Sequence, residues 1–167
     1  WWLPAWQRAA ILEDKDVAVR REDGSVGTVS VEKTHHMLGI GLLLDIFVWP
    51  ITGTNYGAVR PLYAVQDEFG MADVKFFGYW NNAKLIGGQT KKIRASVYRK
   101  PRGGSLVVVY NTTREAMSAK LTVDWDRLKS GGPLRVVDAY TKKAVSVSGR
   151  SLSLEVPRLN YRLLWIR

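Results

Sequence analysis

Between Ile93 and Ile166 the chain breaks into short segments of alternating apolar and polar residues, and turn residues punctuate them about every 8–12 positions. Ile93, Ala95, Val97 and Arg99 alternate with Arg94, Ser96 and Tyr98, and Leu121, Val123 and Trp125 alternate with Lys120, Thr122 and Asp124. A strand sends successive side chains to opposite faces, so this spacing predicts antiparallel strands with one face in a core. Pro101-Arg102-Gly103-Gly104 reads as a turn into a strand over Ser105–Asn111. Leu134–Ala139, Ala144–Val147, Ser151–Val156 and Tyr161–Ile166 complete the series, with Asp126-Arg127-Leu128-Lys129 as one helical turn. So many short strands are expected to close as a sandwich or barrel. Trp125 and Trp165 fall in step with core positions.

Upstream the pattern changes. Val17–Arg21 and Val26–Val31 flank Asp23-Gly24, a strong turn signal, and predict a hairpin. Leu42 to Trp49 is a nearly continuous apolar run closed by Pro50, as a strand buried on both faces requires. A polar loop, Thr52–Gly57, leads into a helical pattern (Val59, Leu62, Tyr63, Val65, Gln66, Phe69) stopped by Gly70. Strand, loop and helix make one βα unit. A single such unit leaves its strand uncovered, so Leu42–Trp49 must pack on the β-region, on residues 1–36 or on sequence beyond this chain. The preferred reading is that the chain is part of a larger polypeptide, with a tight oligomer as the alternative. The expected fold is therefore mainly β: a C-terminal antiparallel β-sandwich, residues 84–167, preceded by an α/β region, residues 1–83, with a βα unit from an incomplete (β/α) barrel.

Charge divides at the same place. Residues 1–83 hold 7 Lys/Arg against 10 Asp/Glu, whereas residues 84–167 hold 18 against 5. A basic β-region suits a polyanion, but these cations are scattered, and solvated strand faces are the favoured explanation. Nucleic acid is not the expected partner. The chain has no cysteine, and no stretch reaches the roughly 18 apolar residues of a membrane span. Trp1-Trp2-Leu3-Pro4 does not open like a secretory signal.

Two segments bear a family likeness. Gly41 to Pro50 (GLLLDIFVWP) and Val65 to Trp80 (VQDEFGMADVKFFGYW) resemble the late part of the catalytic barrel in bacterial glycoside-hydrolase-like proteins. Ala95 to Pro101, Leu106 to Asn111 and Tyr161 to Trp165 resemble the β-sandwich that follows that barrel. Amylase-type hydrolases carry a similar C-terminal sandwich. The likeness spans roughly residues 37–167. It implies that most of the barrel, with its acidic catalytic pair, lies outside this chain, and it favours a secreted or periplasmic address.

Few residues here are suited to catalysis. Glycoside hydrolysis needs two carboxyl groups facing each other roughly 5–10 Å apart. Asp45, alone in an apolar run, is the one catalytic candidate, and no spacing supplies its partner; an ion pair or a cap is its expected role. Asp67-Glu68 reads as a solvated helix face. His35 and His36 diverge on either a helix or a strand, and no cysteine joins them, so neither a metal site nor a cofactor is expected. Aromatic side chains stack on sugar rings, and Trp49, Asn55, Tyr56, Tyr79 and Trp80 gather around the βα loop and the junction as candidate carbohydrate contacts. The competing role for Tyr79 and Trp80 is to cement the barrel–sandwich interface.

The expected function is that of a non-catalytic C-terminal portion of a glycoside-hydrolase-like protein, supporting the barrel and contacting a polysaccharide. The alternatives are a self-contained carbohydrate-binding module and a basic polyanion-binding or nucleic-acid-binding domain.

Overall fold

Most strands from Ile93 onward form where the alternation places them. The strand expected over Ala144–Val147 is reduced to an isolated Ala144–Val137 bridge and the pair Val147–Ser148, and Trp125 begins a helical turn. The computed structural model describes residues 17–20, 26–46, 54–102, 104–129 and 131–167. β1 (Val17–Arg20) and β2 (Val26–Val29) form an antiparallel hairpin with Val17 opposite Val29. Two helices follow, α1 (Val31–Leu44) and α2 (Tyr56–Phe69). Then come β3 (Lys75–Phe77), β4 (Ile86–Gly87), β5 (Ile93–Arg99), β6 (Ser105–Asn111), β7 (Met117–Val123), the single turn α3 (Trp125–Leu128), β8 (Val136–Asp138), β9 (Val147–Ser148), β10 (Ser151–Val156) and β11 (Tyr161–Ile166).

Two antiparallel sheets face each other. One has five strands in the order β3-β5-β6-β11-β8, the other four in the order β4-β7-β10-β9. Between them lies one core, built from Ile93, Ala95, Val97, Val107, Val109, Leu121, Val123, Leu152, Leu164 and Ile166. Trp125 joins it and donates its indole N–H to the Gly149 carbonyl at 2.7 Å.

The five-stranded sheet is buried on its other face as well, because α1 and α2 lie across it. Leu38, Leu42 and Leu43 of α1 and Val59, Leu62, Val65 and Phe69 of α2 pack with Tyr98, Leu106, Val108, Tyr110, Leu163 and Trp165. Every residue of β6 is buried, which explains its uninterrupted Leu106-Val107-Val108-Val109 run. Trp165 is in the core, but in the layer beneath the helices. The molecule therefore has three layers: helices, five-stranded sheet and four-stranded sheet.

One segment departs from expectation. Leu42-Leu43-Leu44 is the last turn of a helix, not the start of a strand, and Asp45 is that helix's C-cap; residues 47–53 lie outside the described residues. A short apolar run has the same composition in a strand buried on both faces as in a helix buried between neighbours. The deciding signal lies upstream, where the Ser30 hydroxyl caps α1 by accepting from the Lys33 N–H at 3.3 Å. Nor is the run uncovered. Leu42 and Leu43 are buried against the sheet, which removes the packing argument for sequence beyond the chain at those two residues. The charge step at 83/84 does not coincide with a break in packing, since β3, before it, pairs with β5, after it. Among the described residues no helix is long and apolar enough to cross a membrane.

Candidate carbohydrate-binding surface

β3 ends in a tight turn that presents two aromatic rings. The Asn81 N–H donates to the Gly78 carbonyl at 2.9 Å, so Tyr79 and Trp80 occupy the two corner positions. The Trp80 indole folds over Gly78, where a Cβ would stand 2.5 Å from the ring. It meets Phe76 edge-on at 5.9 Å and Tyr79 at 5.0 Å. Trp80 remains 58% exposed, the most exposed large hydrophobic side chain among the described residues. The Arg94 guanidinium lies 4.9 Å from the Tyr79 ring centre.

The turn is anchored from below. Ser96, fully buried on β5, accepts from the Tyr79 N–H at 3.0 Å and donates to the Leu43 carbonyl at 2.8 Å. One hydroxyl thus links the turn, the sheet and the end of α1. Next to it runs an open groove of about 330 Å³ lined by His36, Ile40, Leu44, Tyr79, Arg94 and Tyr110 among others. The Tyr110 hydroxyl bonds the His36 Nδ1, and burial pushes the phenol up to about 12.

A second cleft, of about 350 Å³, opens between α1, α2 and β5. Leu38, Leu42 and Leu62 are among its apolar lining, and Asp45, Tyr63, Gln66, Asp67 and Tyr98 bring polar groups to it. Two carboxylates therefore share one cleft, a juxtaposition that the sequence spacing of Asp45 and Asp67 does not suggest. The Tyr98 hydroxyl donates to the Leu42 carbonyl at 2.7 Å; burial, and next the Asp45 carboxylate, hold its proton well above the ordinary phenol range. Asp45 is exposed and sits in the left-handed region at φ 58°.

The sequence candidates separate. Tyr79 and Trp80 come together as one shelf. Asn55 is fully buried as the N-cap of α2, its side chain accepting from the Ala58 N–H at 3.1 Å, and a side chain so enclosed has no surface to offer a sugar. Its backbone N–H donates to the Thr34 hydroxyl at 3.0 Å. That contact places Tyr56 near the start of α1, about 14 Å along the helix from the Leu43 end that the shelf adjoins. Trp49 lies outside the described residues. Arg94 and Ser96, missing from the sequence candidates, belong to the shelf; they occupy the polar phase of β5, which alternation alone assigns to solvent.

A β-sandwich with helices on one face is the architecture of a C-terminal β-domain of glycoside-hydrolase family proteins. More particularly, the family model for the glycoside hydrolase 123 C-terminal domain matches residues 58–143, and this chain belongs to that family. No curated protein matches it. Among solved structures it is similar to a GH27 β-L-arabinopyranosidase from Geobacillus stearothermophilus, at TM-score 0.53 and 9% identity over 91% of this chain and 34% of that one. It is also similar to a maltogenic α-amylase from Thermotoga neapolitana (TM-score 0.45, 14% identity, 72% of this chain, 28% of that). A third is α-galactosidase I from Mortierella vinacea (TM-score 0.38, 19% identity, 47% of this chain, 21% of that). The chain thus spans about a fifth to a third of the length of these enzymes. The arabinopyranosidase match supports the fold. The expected mainly-β, hydrolase-type C-terminal region is what both family and architecture show.

Proposed function

We propose that this chain is the non-catalytic accessory domain of a larger glycoside hydrolase, which seats the catalytic part on its helix layer and offers the Tyr79–Trp80 shelf to a polysaccharide. The observation that carries the reading is an indole left 58% exposed on a turn fixed to the core through Ser96. A flat aromatic face held in place loses little freedom on binding, and sugar rings stack their C–H faces on it. Ile40, Leu44 and Ile46, all exposed along the end of α1, supply an apolar strip for the catalytic part.

Affinity electrophoresis of the chain through gels containing neutral polysaccharides tests the shelf. Retardation that Trp80→Ala abolishes, with the thermal midpoint unchanged, is expected. Unretarded migration in every gel, or retardation that Trp80→Ala leaves intact, overturns it.

A second reading, hydrolysis by this chain itself, has one observation in its favour: Asp45 and Asp67 line the same cleft. It requires release of reducing sugar that Asp45→Asn and Asp67→Asn each abolish.

A further inference from the structure

A cluster of positive charge lies away from the shelf, where β8 and β11 leave the five-stranded sheet. Arg135 and Arg167 exchange both backbone hydrogen bonds, at 3.1 and 2.9 Å. They are therefore directly opposed, with side chains on the same face, one step beyond the Val136–Ile166 pair. By alternation that face is the one carrying Val137 and Trp165, toward the helices. Like charges directly opposite on neighbouring strands repel, so the arrangement is unfavourable unless negative charge is held near it.

Among the described residues one side-chain carboxylate serves the recess. Glu68, near the end of α2, pairs with Lys142 and stands 3.6 Å from an Arg167 Nη atom. No partner for the Arg135 guanidinium is found among the described residues. Three cations thus share one side-chain carboxylate around an open recess of about 170 Å³, lined by Glu68, Arg135, Val137, Lys142 and Arg167. Trp165 fixes two of them: the Arg167 guanidinium lies 3.8 Å and the Lys142 ammonium 4.9 Å from its ring centre. Among the described residues, two enclosed donors of this cluster, the Trp165 indole N–H and the Arg167 Nε–H, have no acceptor. Trp165 itself is only 8% exposed. Buried donors without partners are costly, so these two mark the cluster as strained without themselves opening into the recess.

We infer that this recess is an anion site that takes a sulfate or carboxylate substituent of an acidic polysaccharide. Its volume suits one such group, and a paired arginine fork is suited to bidentate recognition of a flat or tetrahedral oxyanion. It is a single small recess and not a groove that follows a phosphate backbone, which argues against nucleic acid. The inference does not depend on the Tyr79–Trp80 shelf.

The test uses the same chain in gels containing dextran sulfate, polygalacturonate or neutral dextran, with duplex DNA as a fourth ligand. Retardation by the sulfated or the carboxylated polymer is expected, and the stronger of the two identifies the substituent. Arg135→Gln with Lys142→Gln should weaken it about tenfold and lower its salt dependence by about two charges. Lys91→Gln with Lys92→Gln removes the same charge at the opposite, Asn111 end of β6 and should change it little. Glu68→Gln should strengthen binding, whereas Glu115→Gln, an equal change of net charge at that far end, should not. Equal effects of the near and far substitutions would show attraction by net charge alone and overturn the site. Tighter binding to DNA than to both acidic polymers at the same salt would overturn the polysaccharide assignment.

Discussion

The Ser96 hydroxyl donates to the Leu43 carbonyl at 2.8 Å, although the two residues are 53 apart in sequence. The same oxygen accepts from the Tyr79 N–H. Ser96→Ala removes both bonds and leaves a buried carbonyl and a part-buried N–H without this partner. A stability loss of about 2–3 kcal/mol is expected, read from the urea midpoint. The turn that carries Trp80 loosens with it, so retardation by polysaccharide should fall in Ser96→Ala even under conditions where the protein is fully folded. A variant that loses stability but binds unchanged would mean that the shelf does not depend on this anchor.

Ser96 also shows where sequence reasoning succeeds and where it stops. Alternation locates β5 correctly and places Ile93, Ala95 and Val97 in the sandwich core. It assigns the opposite phase to solvent, yet Ser96 and Tyr98 are buried under α1. A third layer leaves no mark on a strand when its contacts are hydroxyl groups meeting helix carbonyls. The hairpin at β1–β2, the helix stop at Gly70 and the series β5 to β11, apart from β9, were legible because their signals are local. The nature of Leu42–Leu44 was not, because an apolar run is common to both kinds of buried element. The arginine pair is illegible for another reason: register brings residues 135 and 167 together, and sequence spacing does not encode register.

Gly39 sets the distance between α1 and the sheet. A Cβ there would stand 2.7 Å from the Tyr110 ring and 2.8 Å from the Tyr161 ring. Neither ring is free to yield, since Tyr110 is tied to His36 and Tyr161 to Tyr140. Gly39→Ala gains up to about 1 kcal/mol of helix propensity, but overpacking costs about 1–3 kcal/mol. A net loss is expected, seen as a lower thermal midpoint, whereas a rise would show that the helix shifts without cost.

Asn111 closes the end of the sandwich. Its side-chain amide donates to the carbonyls of Glu115, Val156 and Pro157 at 2.7, 3.2 and 3.1 Å, and its oxygen accepts from the Thr113 N–H and hydroxyl. Asn111→Asp keeps the shape but turns the donor into a second acceptor facing three carbonyls. Destabilisation of at least about 3 kcal/mol at neutral pH is expected, partly recovered as the pH falls and the carboxyl protonates. Urea titrations at pH 7 and pH 4, with the wild type as reference, measure both effects. An Asn111→Asp protein as stable as the wild type at pH 7 would contradict this account of the hydrogen bonds.

Stability above about pH 10 depends on the Tyr161 phenol. Tyr161 is enclosed between α1 and the sheet, and burial raises its phenol from 10.0 to about 12, partly offset by the hydrogen bond with the Tyr140 hydroxyl. Tyr140 is raised further, first by its own burial and then by Tyr161. Below about pH 10 both folded and unfolded chains keep these protons, and stability does not depend on them. Between about pH 10 and about pH 12 the unfolded chain releases the Tyr161 proton while the folded chain retains it. Stability must then fall as pH rises, by up to about 1.4 kcal/mol per pH unit for this group and on the order of 2–3 kcal/mol across the interval. Tyr161→Phe keeps the ring and removes the titrating proton. Its urea midpoint should therefore fall less steeply than that of the wild type between pH 10 and pH 12, by one proton's worth of slope. Equal slopes in the two proteins would mean that the Tyr161 phenol ionises as readily in the folded chain as in the unfolded one.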